Sequence, residues 1–291
     1  MFFGSIPALV TPFSGGRVAE DTLQAFVEWQ ISEGSDGLVP CGTTGEVATL
    51  TSDEHRHVIA TVVEAAKGRV PVIAGTGTYS TEHSIERTRA AADAGADAAL
   101  IVVPYYNKPS QAGLAAHFLA IADASPLPVV VYNVPSRTVA DISVETLAHI
   151  AKHPKIVAIK DATGNLGRVS AQRLACGEDF VQLSGNDDMA LGFNAMGGVG
   201  CVSVSSNIAP KLCSEFQKAT REGRWGDALK LQDKLYPLHA ALFTDASPAP
   251  TKYALSRVRP GFPTEIRLPL VEASESSKQA VDAALEHAGL I

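Results

Sequence analysis

The chain has 291 residues, 46% of them hydrophobic and 19% charged, with a net charge of −7. That is enough for one large α/β barrel or two ordinary domains, and the absence of any block of like charge argues against nucleic acid and anionic membrane as partners. No run approaches the roughly 20 apolar residues of a membrane helix.

At the start, Met1 to Pro7 is apolar but carries no basic n-region, and Pro7 and Pro12 interrupt it, so no signal peptide is expected. Cys41, Cys176, Cys201 and Cys213 are scattered without a C-x-x-C pair, the pattern of reduced core thiols in a cytoplasmic protein. Short apolar, strand-like runs begin near Ile6, Gly37, Val70, Ala98, Val129, Ile156, Val181 and Gly200. Their recurrence, roughly every 20 to 33 residues, leaves room for a crossover helix each time and so predicts parallel strands. The intervening segments are amphipathic, with Leu23, Phe26, Val27 and Gln30 on one face, then Ile85, Thr88 and Ala92, then Leu114, His117, Phe118 and Ile121. Thr51 and Ser80, each followed by acidic residues, have the form of N-caps.

Eight such units predict an α/β fold, a closed (β/α)₈ TIM barrel over residues 1–223. An open doubly wound sheet would usually show a complete phosphate-binding glycine motif after its first strand, and Thr11-Pro12-Phe13 follows instead. Beyond Ser205 no strand run appears. Segments 207–222, 225–241, 248–257 and 272–289 read as helices, the first completing the barrel and the rest forming a C-terminal helical appendage over 224–291 that packs on it.

A barrel of this kind puts its chemistry in the loops after the strand ends. Those ends read Pro40-Cys41-Gly42-Thr43-Thr44-Gly45-Glu46, Pro104-Tyr105-Tyr106-Asn107-Lys108-Pro109, Tyr132-Asn133-Val134-Pro135-Ser136-Arg137-Thr138, Lys160-Asp161-Ala162-Thr163, Ser184-Gly185-Asn186-Asp187-Asp188 and Ser203-Val204-Ser205-Ser206. Lys160 ends an apolar run. It reads either as a solvated strand-end lysine or as an amine in a dry pocket, where lost solvation favours the neutral nucleophile of Schiff-base chemistry. Alternation sends Asp161 to the other face. The Gly-Thr-Thr-Gly turn suits a carboxylate clamp, or is a tight turn capped by its own threonines. Tyr132 can relay a proton or simply pack in the core, Tyr105 and Tyr106 can reach a neighbour, and Arg137 can grip a second carboxylate or stay solvated. His55 and His57 do not share a helix face and offer no metal set. Asp187 and Asp188 read as caps of the next helix, and Gly197, Gly198 and Gly200 as a close backbone approach around the last strand.

Gly42-Thr43-Thr44-Gly45-Glu46, Tyr105-Tyr106-Asn107-Lys108-Pro109, Asn133-Val134-Pro135-Ser136-Arg137-Thr138 and Ile159-Lys160-Asp161-Ala162-Thr163-Gly164 together resemble the dihydrodipicolinate synthase family of the pyruvate-dependent aldolase superfamily, over nearly the whole chain. The resemblance implies a lyase of diaminopimelate and lysine biosynthesis. In it Lys160 forms an imine with pyruvate, Thr43 and Thr44 take the pyruvate carboxylate, and Arg137 holds aspartate semialdehyde. Tyr132, Thr43 and Tyr106 match the family's proton relay, with Tyr106 supplied by a partner subunit, and Gly185 and Val202 match positions lining the pocket. No cofactor and no metal are implied, and the assembly is a homotetramer of two tight dimers. A sugar-acid aldolase of the same superfamily is the rival enzyme, and a non-catalytic carboxylate-binding barrel the rival outside enzymes. The family's effector positions map onto Ser52, His55, Tyr79, His83 and Tyr105. Tyr79 and His83 replace an amide and a carboxylate there, so feedback inhibition by lysine is expected to be weak or absent.

Overall fold

The structure, a computed structural model, describes residues 2–291. Its strands are β1 (Gly4–Pro7), β2 (Phe13–Ser14), β3 (Arg17–Val18), β4 (Ile73–Gly75), β5 (Ala98–Val102), β6 (Val129–Asn133), β7 (Ile156–Asp161), β8 (Val181–Ser184) and β9 (Gly200–Ser203). Seven of them form one parallel sheet in the order β1-β9-β8-β7-β6-β5-β4. Residues 38–39 fill the gap between β4 and β1 through the bridges Leu38 to Val72 and Val39 to Ala8, and close the expected (β/α)₈ barrel. The strand expected near Gly37 is therefore shorter than a full ladder. Prolines explain this: Pro40 ends the segment and Pro71 faces its start, and neither has an N–H to donate. The hairpin of β2 and β3 was not evident in the sequence. Its two-residue turn, Gly15-Gly16, has φ of 58° and 77°, a left-handed pair that glycine adopts without steric cost.

Among the described residues, twelve α-helices cover the barrel or follow it: α1 (Glu20–Ser32), α2 (Ser52–Ala66), α3 (Thr81–Asp93), α4 (Gln111–Ala124), α5 (Pro135–Thr138), α6 (Val144–Ile150), α7 (Gly167–Cys176), α8 (Ala190–Ala195), α9 (Pro210–Arg221), α10 (Trp225–Ala241), α11 (Ala249–Val258) and α12 (Glu275–Ala288). The expected faces of α1 and α4 are buried in full. On α3 Thr88 of the expected face is buried and Ile85 and Ala92 are half-buried against the core, while Ser84 and Ala91, one residue round, are buried fully. Thr51 caps α2 through a capping box with Glu54, and the Ser80 hydroxyl accepts from the His83 amide at the start of α3.

Strand alternation divides the core in two. Ile6, Ile73, Leu100, Val130, Tyr132, Ala158, Leu183 and Val202 fill the barrel interior. Ile101, Val129, Val131 and Ile159 point outward to meet Phe26, Ile59 and Phe118 of the helices. Lys160 has the parity of Ala158 and so faces inward at the end of β7, while Asp161 faces the helices. Around β9, a Cβ on Gly200 would lie 2.4 Å from the Gly4 amide nitrogen, the close approach the glycines suggest. All four cysteines are free, and Cys41, Cys201 and Cys213 are buried. Among the described residues no helix is long and apolar enough to cross a membrane.

Candidate active site

The parallel register sets Tyr132 of β6 beside Lys160 of β7. Lys160 is 6% exposed, and its Nζ lies 4.1 Å from the centroid of the Tyr132 ring. No ion pair among the described residues involves Lys160. Asp161 is occupied elsewhere: its carboxylate accepts from the Thr163 hydroxyl at 2.6 Å and from Gln172 Nε2 at 2.7 Å, and lies 3.4 Å from Arg168 Nε. Arg168 also meets Asp141 at 3.3 Å, and Asp141 accepts from Asn133 Nδ2 at 2.7 Å. This polar chain behind the rim ties together the strand ends that carry Tyr132 and Lys160.

Gly185 follows β8, and its N–H donates to the Asp161 carbonyl at 2.7 Å. A Cβ there would stand 2.7 Å from Ala162 Cβ and 3.1 Å from Lys160 Cε, so the absence of a side chain makes room for the lysine stem. Val202 is buried in β9 and paired with Ile6.

The Gly-Thr-Thr-Gly-Glu turn is closed by the Gly45 N–H to the Gly42 carbonyl at 3.0 Å and the Glu46 N–H to the Thr43 carbonyl at 3.1 Å. Thr11 Oγ1 donates to the Gly45 carbonyl at 2.8 Å. Cys41 and Glu46 flank the turn with φ of 55° each, in the left-handed region. Among the described residues neither the Thr43 nor the Thr44 hydroxyl caps the turn, which disfavours the self-capped reading.

Glu46 has a partner that the sequence did not reveal. Its side chain is 1% exposed, and its Oε1 lies 2.5 Å from Nζ of Lys252 on α11, which is 0% exposed. Lys252 also donates to the Glu265 carbonyl at 2.7 Å and sits 4.4 Å from the Phe13 ring centroid. Burial pulls the Lys252 amine below the usual lysine range, and the Glu46 charge opposes that shift. The other Glu46 oxygen accepts the Arg267 N–H at 3.1 Å. The Arg267 guanidinium also lies over the Phe13 ring, 4.2 Å from its centroid, and pairs with Glu54, whose carboxyl it holds down at about 2.

A cavity of about 630 Å³ opens at this rim, lined among others by Thr43, Glu46, Val102, Tyr105, Val134 and Arg137, with Ala246, Ser247, Pro269 and Leu270 supplying a wall from the C-terminal region. Thr43 and Arg137 are thus brought together. Tyr132 and Lys160 are not among its lining residues: Tyr132 on β6 is paired with Val102 of the lining, and Lys160 on β7 is paired in turn with Tyr132. Tyr106 is not brought in: it is 94% exposed, with φ of 65°.

The effector candidates divide between this cavity and an adjoining one of about 510 Å³. Ser52, His55 and His83 line the smaller cavity with Arg56, Glu86 and Arg87. Tyr79 and Tyr105 line the larger, their rings edge to face at 5.5 Å, and His83 and Arg87 border both. Glu86 is a carboxylate at this place, outside the five expected effector positions. His55 Nε2–H donates to the Gly75 carbonyl at 2.8 Å, and burial pushes its pKa down to about 4, so the ring is neutral at neutral pH. Asp187 is not a simple helix cap: its buried carboxylate accepts from the Ser203 hydroxyl and from the Val204 and Ser205 amides, binding β9 to the loop after β8. No cluster of three or more His, Cys, Asp or Glu side chains suited to a metal occurs among the described residues.

The sequence pattern of the Dihydrodipicolinate synthetase family matches residues 1–288. The chain is 62% identical to the 4-hydroxy-tetrahydrodipicolinate synthase of Rhizorhabdus wittichii and 62% identical to that of Zymomonas mobilis, covering 100% of both chains in each case. Among solved structures, it superposes on the chloride-inhibited dihydrodipicolinate synthase of Acinetobacter baumannii complexed with pyruvate with a TM-score of 0.97, at 44% identity and full coverage of both chains. The chain belongs to the dihydrodipicolinate synthetase family.

Proposed function

We propose that the chain is a Schiff-base lyase condensing pyruvate with L-aspartate-4-semialdehyde, on the route through diaminopimelate to lysine. The observation that carries this is Lys160: a nearly buried amine, facing into the barrel at a strand end, against a tyrosine and without a carboxylate partner. The Lys160 amine adds to the pyruvate ketone, and loss of water gives the imine. Removal of a methyl proton gives the enamine, whose carbon attacks the aldehyde; the aldehyde oxygen takes a proton and becomes the 4-hydroxyl. The amine of the second substrate then attacks the imine carbon and displaces Lys160, releasing cyclic 4-hydroxy-tetrahydrodipicolinate. The protonated imine is the electron sink. Thr43, Thr44 and the amides of their turn take the pyruvate carboxylate, Arg137 the carboxylate of the semialdehyde, and Tyr132 with Thr43 moves protons. Gly185 and Val202 shape the pocket. Tyr106 completes the relay from a second copy of the chain, in a tetramer of tight dimers; its 94% exposure and outward, left-handed backbone support a role across an interface.

Borohydride reduction in the presence of pyruvate, followed by a coupled assay with aspartate semialdehyde, tests this reading. It predicts an adduct on Lys160 and turnover. No adduct would end the aldolase reading, and an adduct without turnover would transfer the chain to a sugar-acid or other oxo-acid substrate.

Gly185→Ala places a methyl within 3.1 Å of Lys160 Cε. Overpacking of this kind costs about 1–3 kcal/mol. Because the displaced atom belongs to the nucleophile, the imine-trapping rate should fall by about tenfold to a hundredfold, measured by quenched borohydride reduction. For the effector site, Arg56 and Arg87 add positive charge where lysine's own amines would have to sit, and Glu86 is the opposing carboxylate. Lysine titrated into the steady-state assay is expected to leave more than half of the activity at submillimolar concentration; half-inhibition in that range would show that Glu86 suffices.

A further inference from the structure

We propose that the buried Glu46–Lys252 ion pair positions the Thr43–Thr44 turn, and so sets the affinity for the pyruvate carboxylate; the inference rests on the function proposed above. Three observations carry it. First, the pair joins the clamp to the far end of the chain: Glu46 closes the turn through its own N–H to the Thr43 carbonyl, while its carboxylate is held by Lys252 of α11 and by the Arg267 amide. Second, Glu46 lines the same cavity as Thr43, so a displaced Glu46 carries the turn with it at the wall where a ligand enters. Third, Glu46 is held in a left-handed conformation (φ 55°, ψ 35°) that an acidic side chain adopts only when its surroundings impose it.

A buried ion pair is a weak source of stability, because desolvation offsets the attraction and an apolar pair of the same shape serves as well. What the charges add is direction. Lys252 is fixed by three contacts, the Glu46 carboxylate, the Glu265 carbonyl and the face of Phe13, so the carboxylate has one place to go. Glu46 and Lys252 are thus positioning residues, acting on the substrate through the backbone of the turn. The C-terminal region, far from the chemistry in sequence, is the outer support of the carboxylate site.

The test is the double variant Glu46→Gln/Lys252→Met, in which glutamine keeps an acceptor for the Arg267 amide and methionine keeps most of the buried stem, leaving no unpaired charge. The parent enzyme is assayed first; if it traps no pyruvate, the proposed function itself fails, apart from any effect of the variant. With an active parent, the double variant is expected to raise the KM for pyruvate by about tenfold or more and, because Thr43 also belongs to the proton relay, to lower kcat, with the KM for aspartate semialdehyde changed by less than about threefold. A folded double variant with unchanged pyruvate KM would overturn the proposal, as would parallel changes in both KM values and kcat. If the double variant does not fold, Glu46→Asp, which keeps the charge and withdraws it by one methylene, decides instead: the same selective rise in pyruvate KM sustains the inference, and its absence overturns it.

Discussion

Lys160→Ala is expected to abolish borohydride trapping of pyruvate and to lower kcat by on the order of 10⁴-fold or more, since no other group can form the covalent intermediate. The fold should survive, because the inward position at the end of β7 already opens toward the rim and the change removes an amine with no ion-pair partner. Lys160→Arg should be equally inactive: a guanidinium stays protonated at any working pH and cannot add to a ketone. Mass spectrometry of the reduced protein reads the adduct directly. An adduct of parental yield on Lys160→Ala would move the nucleophile to another lysine and remove the main support of the proposed chemistry.

Arg137→Ala should separate the two substrates. A bidentate, charge-assisted contact to a carboxylate contributes about 2–3 kcal/mol, so the KM for aspartate semialdehyde should rise by about 30- to 150-fold. Pyruvate trapping should proceed at the parental rate, because in the proposed reaction the imine forms on Lys160 and the pyruvate carboxylate sits on the Thr43–Thr44 turn, so that Arg137 on α5 takes part in neither contact. Arg137 is exposed and free of ion pairs among the described residues, which suits a group waiting for a ligand. If neither KM moves, Arg137 is only a solvated surface residue and the second substrate loses its recognition element.

Much of the fold was legible because it depends on local pattern. β-branched runs marked β5 to β9 closely, and the capping residues Thr51 and Ser80 marked the starts of α2 and α3. Parity along Ile156 to Asp161 correctly sent Asp161 to the helices, where Arg168 and Gln172 meet it. What was not legible depends on tertiary contact or on groups that are missing. Two prolines shorten the second strand to a pair of bridges, which hydrophobic runs cannot reveal. The Glu46–Lys252 pair joins residues on opposite sides of the whole barrel sequence, and a lysine in a helical stretch ordinarily reads as solvated. Asp187 stands where a helix cap would, yet its acceptors are used by β9, a preference that only the folded arrangement sets. The exposure of Tyr106 likewise has no signature in the sequence.

The short seam at residues 38–39 has a further consequence for the thiols. Cys41 lies directly after the segment that closes the barrel with two bridges, and it is 1% exposed. Burial raises its pKa far above the usual thiol range, so a folded molecule presents no thiolate at this place. Its reaction with a disulfide reagent must therefore wait for the seam to part. Cys41 is a built-in clock at the base of the Thr43–Thr44 turn: its labelling rate should count openings of the barrel at this seam, and a ligand seated on Thr43 and Thr44 should slow that clock while leaving the half-exposed Cys176 unchanged.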